Sequence, residues 1–370
     1  MNSFEETTNA NHLWHSAQKV RKSSPGKYQI HKFMREILIN IDQAIDELTE
    51  RTWVIKQMKP FIIYERGHPR KIIGNTPYDR MILHCYLDYY LEPMLRKYLI
   101  YDNYASQVGK GVDLARRRFK EQLSRAYREY GNNQFYVMLM DFRKFYDNVQ
   151  HQKLYDSIME KIPYTSFDEY TIWTILDSFK VDVSWMSTEE YLTCMDNVYI
   201  ALDHLYEESK GEKFMSKSLN IGNQASQLFS IFYPTRIDNY VKIVKGFKKY
   251  GRYMDDMSFI HNDKKYLWNM LDELRPICDD MGLFVNEKKT QLYRVDNDFK
   301  YLNRIYRVTE SGHICERLAL ATIIREQQKI RKYKGIGKSI EEQFRSWSGS
   351  FYKYMTIWEI ENMEELLEAC

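Results

Sequence analysis

Apolar positions along this chain recur at two spacings, and each change of spacing marks a new element. In HKFMREILINIDQAIDELTE, Phe33, Ile37, Ile41, Ile45 and Leu48 fall three or four residues apart, which predicts an amphipathic helix. The next stretch changes character. Two β-prone runs, PFIIYE and RKIIGN, flank the turn-prone Arg66-Gly67-His68-Pro69 and predict a hairpin. YDRMILHCYLDYYLEPMLRKYL returns to helical spacing, and residues 113–130 predict a basic helix. QFYVMLMDF (134–142) is a compact β-rich run ending in a carboxylate. Residues 150–213 read mostly as helix, with the Tyr-, Asp- and Glu-rich stretch 164–212 expected as an insertion. Residues 222–241 predict a glycine-started helix, and KKYGRYMDDMSFIHN (248–262) a strand, an acidic turn and a strand. An amphipathic helix, a strand with a lysine-rich bend and another hairpin follow. From about residue 316 the pattern is helical again.

This order predicts an α+β fold with a mixed sheet and helices on one face. At 370 residues the chain is long enough for two or three packed lobes. Few Gly and Pro argue against long linkers. The formal net charge is only +3, but positive charge is clustered: Arg116, Arg117, Arg118, Lys120, Arg125 and Arg128 form one group, and Arg325, Lys329, Arg331, Lys332, Lys334 and Lys338 another. A local field of that kind suits a polyanion whatever the global charge. The five cysteines are scattered without metal-ligand spacing, so neither a disulfide framework nor a structural zinc is expected, and a reducing cytoplasmic setting fits. MNSFEETTNANHLWH lacks a secretory pattern, and no apolar run approaches the ~18 residues of a membrane span.

Candidate chemistry begins with Tyr253-Met254-Asp255-Asp256, where two aspartates sit at the junction of two β-rich runs. Hard carboxylate oxygens at such a turn suit a divalent cation, although a solvated Asp-Asp turn looks the same in isolation. Asp141 ends another β-rich run. If the two runs pair, the carboxylates converge, because neighbouring strands lie about 4.8 Å apart. Two metals about 3.5–4 Å apart, held by shared carboxylates, can then stabilise the attacking and leaving oxygens of phosphoryl transfer.

Arg252-Tyr253-Met254-Asp255-Asp256 and MDFRKFYD resemble the acidic hairpin and the first catalytic strand of reverse transcriptases. The resemblance extends over nearly the whole chain. It implies a right-hand polymerase: N-terminal helices and fingers over 1–133, a palm with an antiparallel sheet backed by helices over 134–310, and a short helical thumb and tail over 311–370. It also implies catalysis by Asp141, Asp255, Asp256 and Lys289, with two Mg²⁺ ions on the three aspartates, for which Mn²⁺ can substitute. Lys288 is the competing lysine. Tyr146 falls where the family carries an aromatic gate against the ribose 2′-OH. HPRKIIGNTPYDR resembles the fingers hairpin, with Arg70 and Lys71 facing the incoming triphosphate and Arg80 either there or structural. Ile221-Gly222-Asn223-Gln224-Ala225-Ser226-Gln227 resembles the nucleotide-and-template helix, giving Gly222, Asn223 and Gln227 to the dNTP and Ile221 and Ser226 to the template. Arg116 and Arg117 would follow the template backbone. Tyr301 and Leu302 lie where the family grips the primer, although Asn303 departs from its usual glycine.

Ile221 and Gln227 replace the Gln and Pro of most reverse transcriptases, and this form resembles the enzymes of diversity-generating retroelements. That subgroup copies a template-repeat RNA into error-rich cDNA (mutagenic retrohoming) with a small basic accessory protein that forms a ring. The implied partners are template RNA, the RNA/cDNA duplex, dNTPs and that ring, in a bacterial or phage-encoded setting. A retron-like or phage-defence enzyme, or a non-catalytic RNA-binding scaffold, are the alternatives.

Overall fold

The two β-rich runs that carry the acidic residues pair with each other. A computed structural model describes residues 2–56, 61–65, 68–195, 211–335 and 340–368. Its strands are β1 (Phe61–Glu65), β2 (His68–Ile72), β3 (Tyr136–Met140), β4 (Val181–Asp182), β5 (Phe214–Met215), β6 (Tyr250–Tyr253), β7 (Asp256–His261), β8 (Gln291–Arg294), β9 (Phe299–Tyr301), β10 (Arg304–Val308) and β11 (Ile314–Leu318). A four-stranded antiparallel sheet runs β6-β7-β3-β8, and a three-stranded sheet runs β11-β10-β9.

Strand alternation divides β3 between two cores. Met138 and Met140 join Met257, Phe259, Leu267 and Leu271 in the main core, where the Lys264–Asp280 helix packs. Val137 joins Phe119, Ile260, Phe299, Tyr306 and Val308 on the other face. That second core lies under the basic helix Val112–Tyr130, which therefore packs on the central sheet and not with the fingers hairpin as its position before residue 133 suggests. The β10–β11 hairpin likewise spans residue 310, so β11 belongs with the strands before that boundary.

The expected fingers hairpin forms, with Phe61↔Ile72 through Glu65↔His68 in register. His68 and Pro69 belong to β2, not to the turn; Arg66 and Gly67 lie outside the described residues.

The expected insertion is shorter than its composition suggests. The helix Ser166–Asp177 starts with a capping box on Thr165 and buries Phe167, Ile172, Ile175 and Leu176 in the main core. Its buried Asp168 accepts from Ser3 Oγ at 2.8 Å and Tyr86 Oη at 3.1 Å, which ties the chain's first helix to it. Beyond Phe179 the chain leaves the core: β4 and β5 pair, and Val183, Met186 and Met215 make a small cluster of their own.

After β11, the helices Leu320–Gly335, Glu341–Phe351 and Ile357–Glu368 share a third core of Ile323, Ile330, Phe344, Trp347 and Met363. Arg304 of β10 anchors this unit, its guanidinium lying 4.1 Å from the Tyr354 ring and 5.3 Å from Phe351. Lys338 of the second basic cluster lies outside the described residues. No described helix is long and apolar enough to cross a membrane.

Candidate active site

The acidic turn is the tight link between β6 and β7. Tyr253 pairs with Asp256, leaving Met254 and Asp255 as a two-residue loop. Met254 has φ +56°, a left-handed backbone that residues with a Cβ rarely adopt outside tight turns. Arg252 braces it from below: its Nη1 donates to the Met254 carbonyl at 2.9 Å, while Nη2 donates to Asp238 Oδ2 at 2.6 Å. Both Arg252 and Asp238 are fully buried, and the Tyr250 hydroxyl donates to the same carboxylate at 2.7 Å. Sequence reading missed this pair. Its only signal was a charged residue at an inward position of a short strand.

The register Met140↔Met257 carries Asp141 to the position opposite Asp256. The segment after the Lys264–Asp280 helix runs alongside: Arg143 N–H donates to the Phe284 carbonyl at 2.7 Å, and Asn286 N–H to the Asp141 carbonyl at 2.8 Å. A turn from Asn286 to Thr290 then brings Lys289 Nζ to 2.9 Å from Asp141 Oδ2. That hydrogen bond raises the lysine's pKa, and the charges of Asp255 and Asp256 add to it.

The carboxylates feel one another. Burial, and then the charge of Asp141, raises the pKa of Asp255. Burial, Asp255 and Asp141 together push Asp256 up to about 7. Asp141 Oδ1 is buried without a hydrogen-bond partner. Crowded, partly dry carboxylates with a spare oxygen lack positive charge. Among the described residues, no three His, Cys, Asp or Glu side chains form a ready-made metal cage. The Lys289 ammonium rests on the other oxygen of the Asp141 carboxylate.

Tyr146 sits on the short helix Phe145–Asn148, its backbone carbonyl accepting from Leu219 N–H at 2.8 Å. The ring packs on the main core, and its hydroxyl lies 3.4 Å from Ser230 Oγ. Burial raises its pKa, and the Asp255 charge adds to this. The Arg70 charge bears on both Asp255 and Tyr146, opposing the rise in each pKa, so β2 lies within electrostatic reach of the acidic turn. Lys71, one residue on, points the other way, as strand alternation requires. Burial lowers its pKa and the charge it meets is Asp182, so it does not join Arg70 at the site.

The glycine-started segment is used differently from expectation. Gly222 has φ +105°, and a Cβ there would come within 2.8 Å of Ile72 Cγ2. The glycine therefore permits close approach of the fingers hairpin. Asn223 caps the Gln224–Phe232 helix, accepting from Ala225 N–H at 2.7 Å, and donates to Asn75 Oδ1 at 2.9 Å. Its side chain is thus committed to structure and is not a free dNTP contact. Gln227 is exposed, Ile221 half-buried, and Ser226 Oγ buried without a partner.

Leu302 and Asn303 both have positive φ, +43° and +63°, closing β9–β10 as a type I′ turn. Arg116 donates to the Leu302 carbonyl at 2.7 Å, so it fixes this turn and is not left for a template strand. Tyr301 is buried, 4.4 Å from the Phe119 ring, which makes it a core residue and not a primer contact. Arg80 donates to Ser23 Oγ at 2.6 Å, which favours its structural role.

The reverse transcriptase (RNA-dependent DNA polymerase) family profile matches residues 66–306, more than half of the chain. The chain belongs to that family. Its α+β architecture, with antiparallel sheets and packed helices, is that of a right-hand polymerase. No curated protein matches the sequence. Among solved structures it is similar to apo telomerase from Candida tropicalis, at 15% identity over 78% of this chain and 56% of that one, with a TM-score of 0.43. It is also similar to telomerase from Candida albicans in complex with a fragment of telomeric RNA, at 12% identity over 85% and 59%, with a TM-score of 0.41. The chain spans a little over half the length of these telomerases.

Proposed function

We propose that this reverse transcriptase chain copies RNA into DNA by metal-assisted phosphoryl transfer, with Asp141, Asp255 and Asp256 holding two divalent cations. The observation that carries this is the β3–β7 register, which sets Asp141 opposite Asp256 beside the strained turn. The residues fit the ions: the donors are hard carboxylate oxygens of the kind Mg²⁺ takes, one oxygen of Asp141 has no partner, and burial, with mutual repulsion behind it, raises the pKa of Asp255 and Asp256. Bound there, Mg²⁺ or Mn²⁺ would supply charge stabilisation to the attacking and leaving oxygens. Arg70 would bind the triphosphate through its fork of donors, Tyr146 would exclude a ribose 2′-hydroxyl, and Lys289 would hold a proton near the leaving pyrophosphate. A non-catalytic scaffold would have no use for this whole set.

The subgroup reading rests on Ile221 and Gln227. It makes the substrate a template-repeat RNA, the product error-rich cDNA, and a basic ring protein the partner, with a bacterial or phage-encoded origin. The small separate cluster at Val183, Met186 and Met215 favours a second reading, a retron-like or defence enzyme with its own RNA.

Incorporation of dNTPs on an RNA template with Mg²⁺ or Mn²⁺ tests the first claim. Asp255→Asn should abolish synthesis and leave melting and RNA binding intact; wild-type incorporation by that variant overturns the metal assignment. Gln227→Pro or Ile221→Gln should lower errors at template adenines, and an unchanged error spectrum removes the subgroup reading.

A further inference from the structure

The Val112–Tyr130 helix lays Ala115, Phe119, Leu123 and Ala126 inward and turns its opposite side to solvent. That side carries Arg117, Arg125 and Arg128, all exposed, around a shallow concavity of about 400 Å³. At 100° per residue and 1.5 Å rise, the three lie within about 80° of one another and span about 16 Å. The helix's other cations are engaged. Arg116 holds the Leu302 carbonyl, Arg118 holds Asp102 and Glu121, and Lys120 holds Glu316. Arg117, Arg125 and Arg128 have no hydrogen bond or ion pair among the described residues. Like charges gathered on one helix face repel, and the one carboxylate among the lining residues, Glu121, already pairs with Arg118.

The line has a direction. Its head adjoins Arg116, which reaches the β9–β10 turn, while Tyr130 at its end packs near His261, at the far end of β7 from Asp256. It therefore leads away from the acidic turn. The concavity is lined only by Arg117, Lys120, Glu121, Ser124, Arg125 and Arg128. It offers no apolar anchor of the kind that gives a protein interface its core. Arginine forks do match phosphate oxygens.

We infer that Arg125 and Arg128 hold the sugar–phosphate backbone of an RNA helix that leads away from the acidic turn, outside the strand being copied. The choice of RNA among polyanions rests on the reverse transcriptase reading. The surface itself does not.

The test uses the full chain and a labelled RNA hairpin with a stem of about two helical turns, its affinity followed by anisotropy across a potassium chloride series. Arg125→Gln/Arg128→Gln should weaken binding and reduce the log–log salt slope by about 1.4–1.8, at about 0.7–0.9 per phosphate contact. Arg125→Lys/Arg128→Lys should keep most of the slope. Extension of a DNA primer on an RNA template too short to reach Arg125 and Arg128 from the acidic turn should match wild type in both. Unchanged hairpin affinity and slope in the Gln variant overturns the proposal, whatever else that surface binds. Loss of short-template extension with hairpin binding intact also overturns it. A wild-type chain that needs these arginines for the hairpin yet extends no primer supports the surface and removes the polymerase reading.

Discussion

Lys289 Nζ lies 2.9 Å from Asp141 Oδ2, and backbone hydrogen bonds hold the two segments in that relation. Asn286 N–H is bound to the Asp141 carbonyl and Arg143 N–H to the Phe284 carbonyl, so the lysine turn cannot shift without moving the aspartate. The ammonium thus stands at the edge of a crowded group of carboxylates, able to balance their charge or to donate a proton.

Lys289→Ala should therefore lower kcat for dNTP incorporation by about 10²–10⁴-fold, the usual worth of a positioned proton donor, with a smaller change in KM. Lys288, exposed and one residue away, should tolerate alanine at near wild-type rate. Single-turnover kinetics check both. Equal losses at the two positions would remove the distinction drawn between them.

Arg252 is expected to matter twice. Replacing it with alanine leaves Asp238 buried and uncompensated, at a cost of about 3–5 kcal/mol in urea unfolding. Pairing Arg252→Met with Asp238→Leu should recover most of that stability, because both charges then leave the core together. Activity should stay low in the double variant, since the Met254 carbonyl has lost its donor. Full activity there would show that the turn needs no brace.

The fold's periodic parts were legible in the sequence, and the contacts between them were not. Helical spacing located the Val112–Tyr130 and Lys264–Asp280 helices, and β-prone runs located β1, β2, β3, β6 and β7. The three aspartates stood out as acidic residues at the ends of β-prone runs, and the pairing of β3 with β7 brings those ends together. The side chains of Asn223, Arg116 and Tyr301 were assigned to ligands because a linear motif does not show the partner that occupies each: an N-cap and Asn75, the Leu302 carbonyl, and the Phe119 ring. Lys71 illustrates the same limit on a strand, where adjacent basic residues necessarily face opposite ways. The insertion was set too long because the Ser166–Asp177 helix carries polar residues on its outer side although its inner side is core.

His151 gives the fold a measurable pH dependence. Its Nε2 donates to the Ser218 carbonyl at 2.7 Å, while Nδ1 is buried without a partner, so the ring is held neutral. Burial brings its pKa down to about 4, with the Lys180 charge acting in the same direction and the Ser218 bond and Asp177 opposing it. The unfolded chain then binds the extra proton first. Stability is full above about 6.5 and falls as pH drops toward about 4, by up to about 3 kcal/mol. His151→Gln should flatten that window. Urea melts of the two proteins between pH 7 and about 4 give the difference; parallel curves would show that His151 is not the group responsible.

Tyr146 should decide the sugar. Its ring packs against the core, the Leu219 N–H holds the backbone beneath it, and the charges of Asp255 and Arg70 reach its hydroxyl. Exclusion by shape then depends on the ring and not on the hydroxyl, whose contact with Ser230 Oγ is a long 3.4 Å. Tyr146→Phe should keep the preference for dNTP over rNTP. Tyr146→Ala should reduce it about 10–200-fold in the ratio of kcat/KM values, the range that one small group in a shaped pocket commands. Discrimination unchanged in the alanine variant would mean that another residue meets the 2′-hydroxyl.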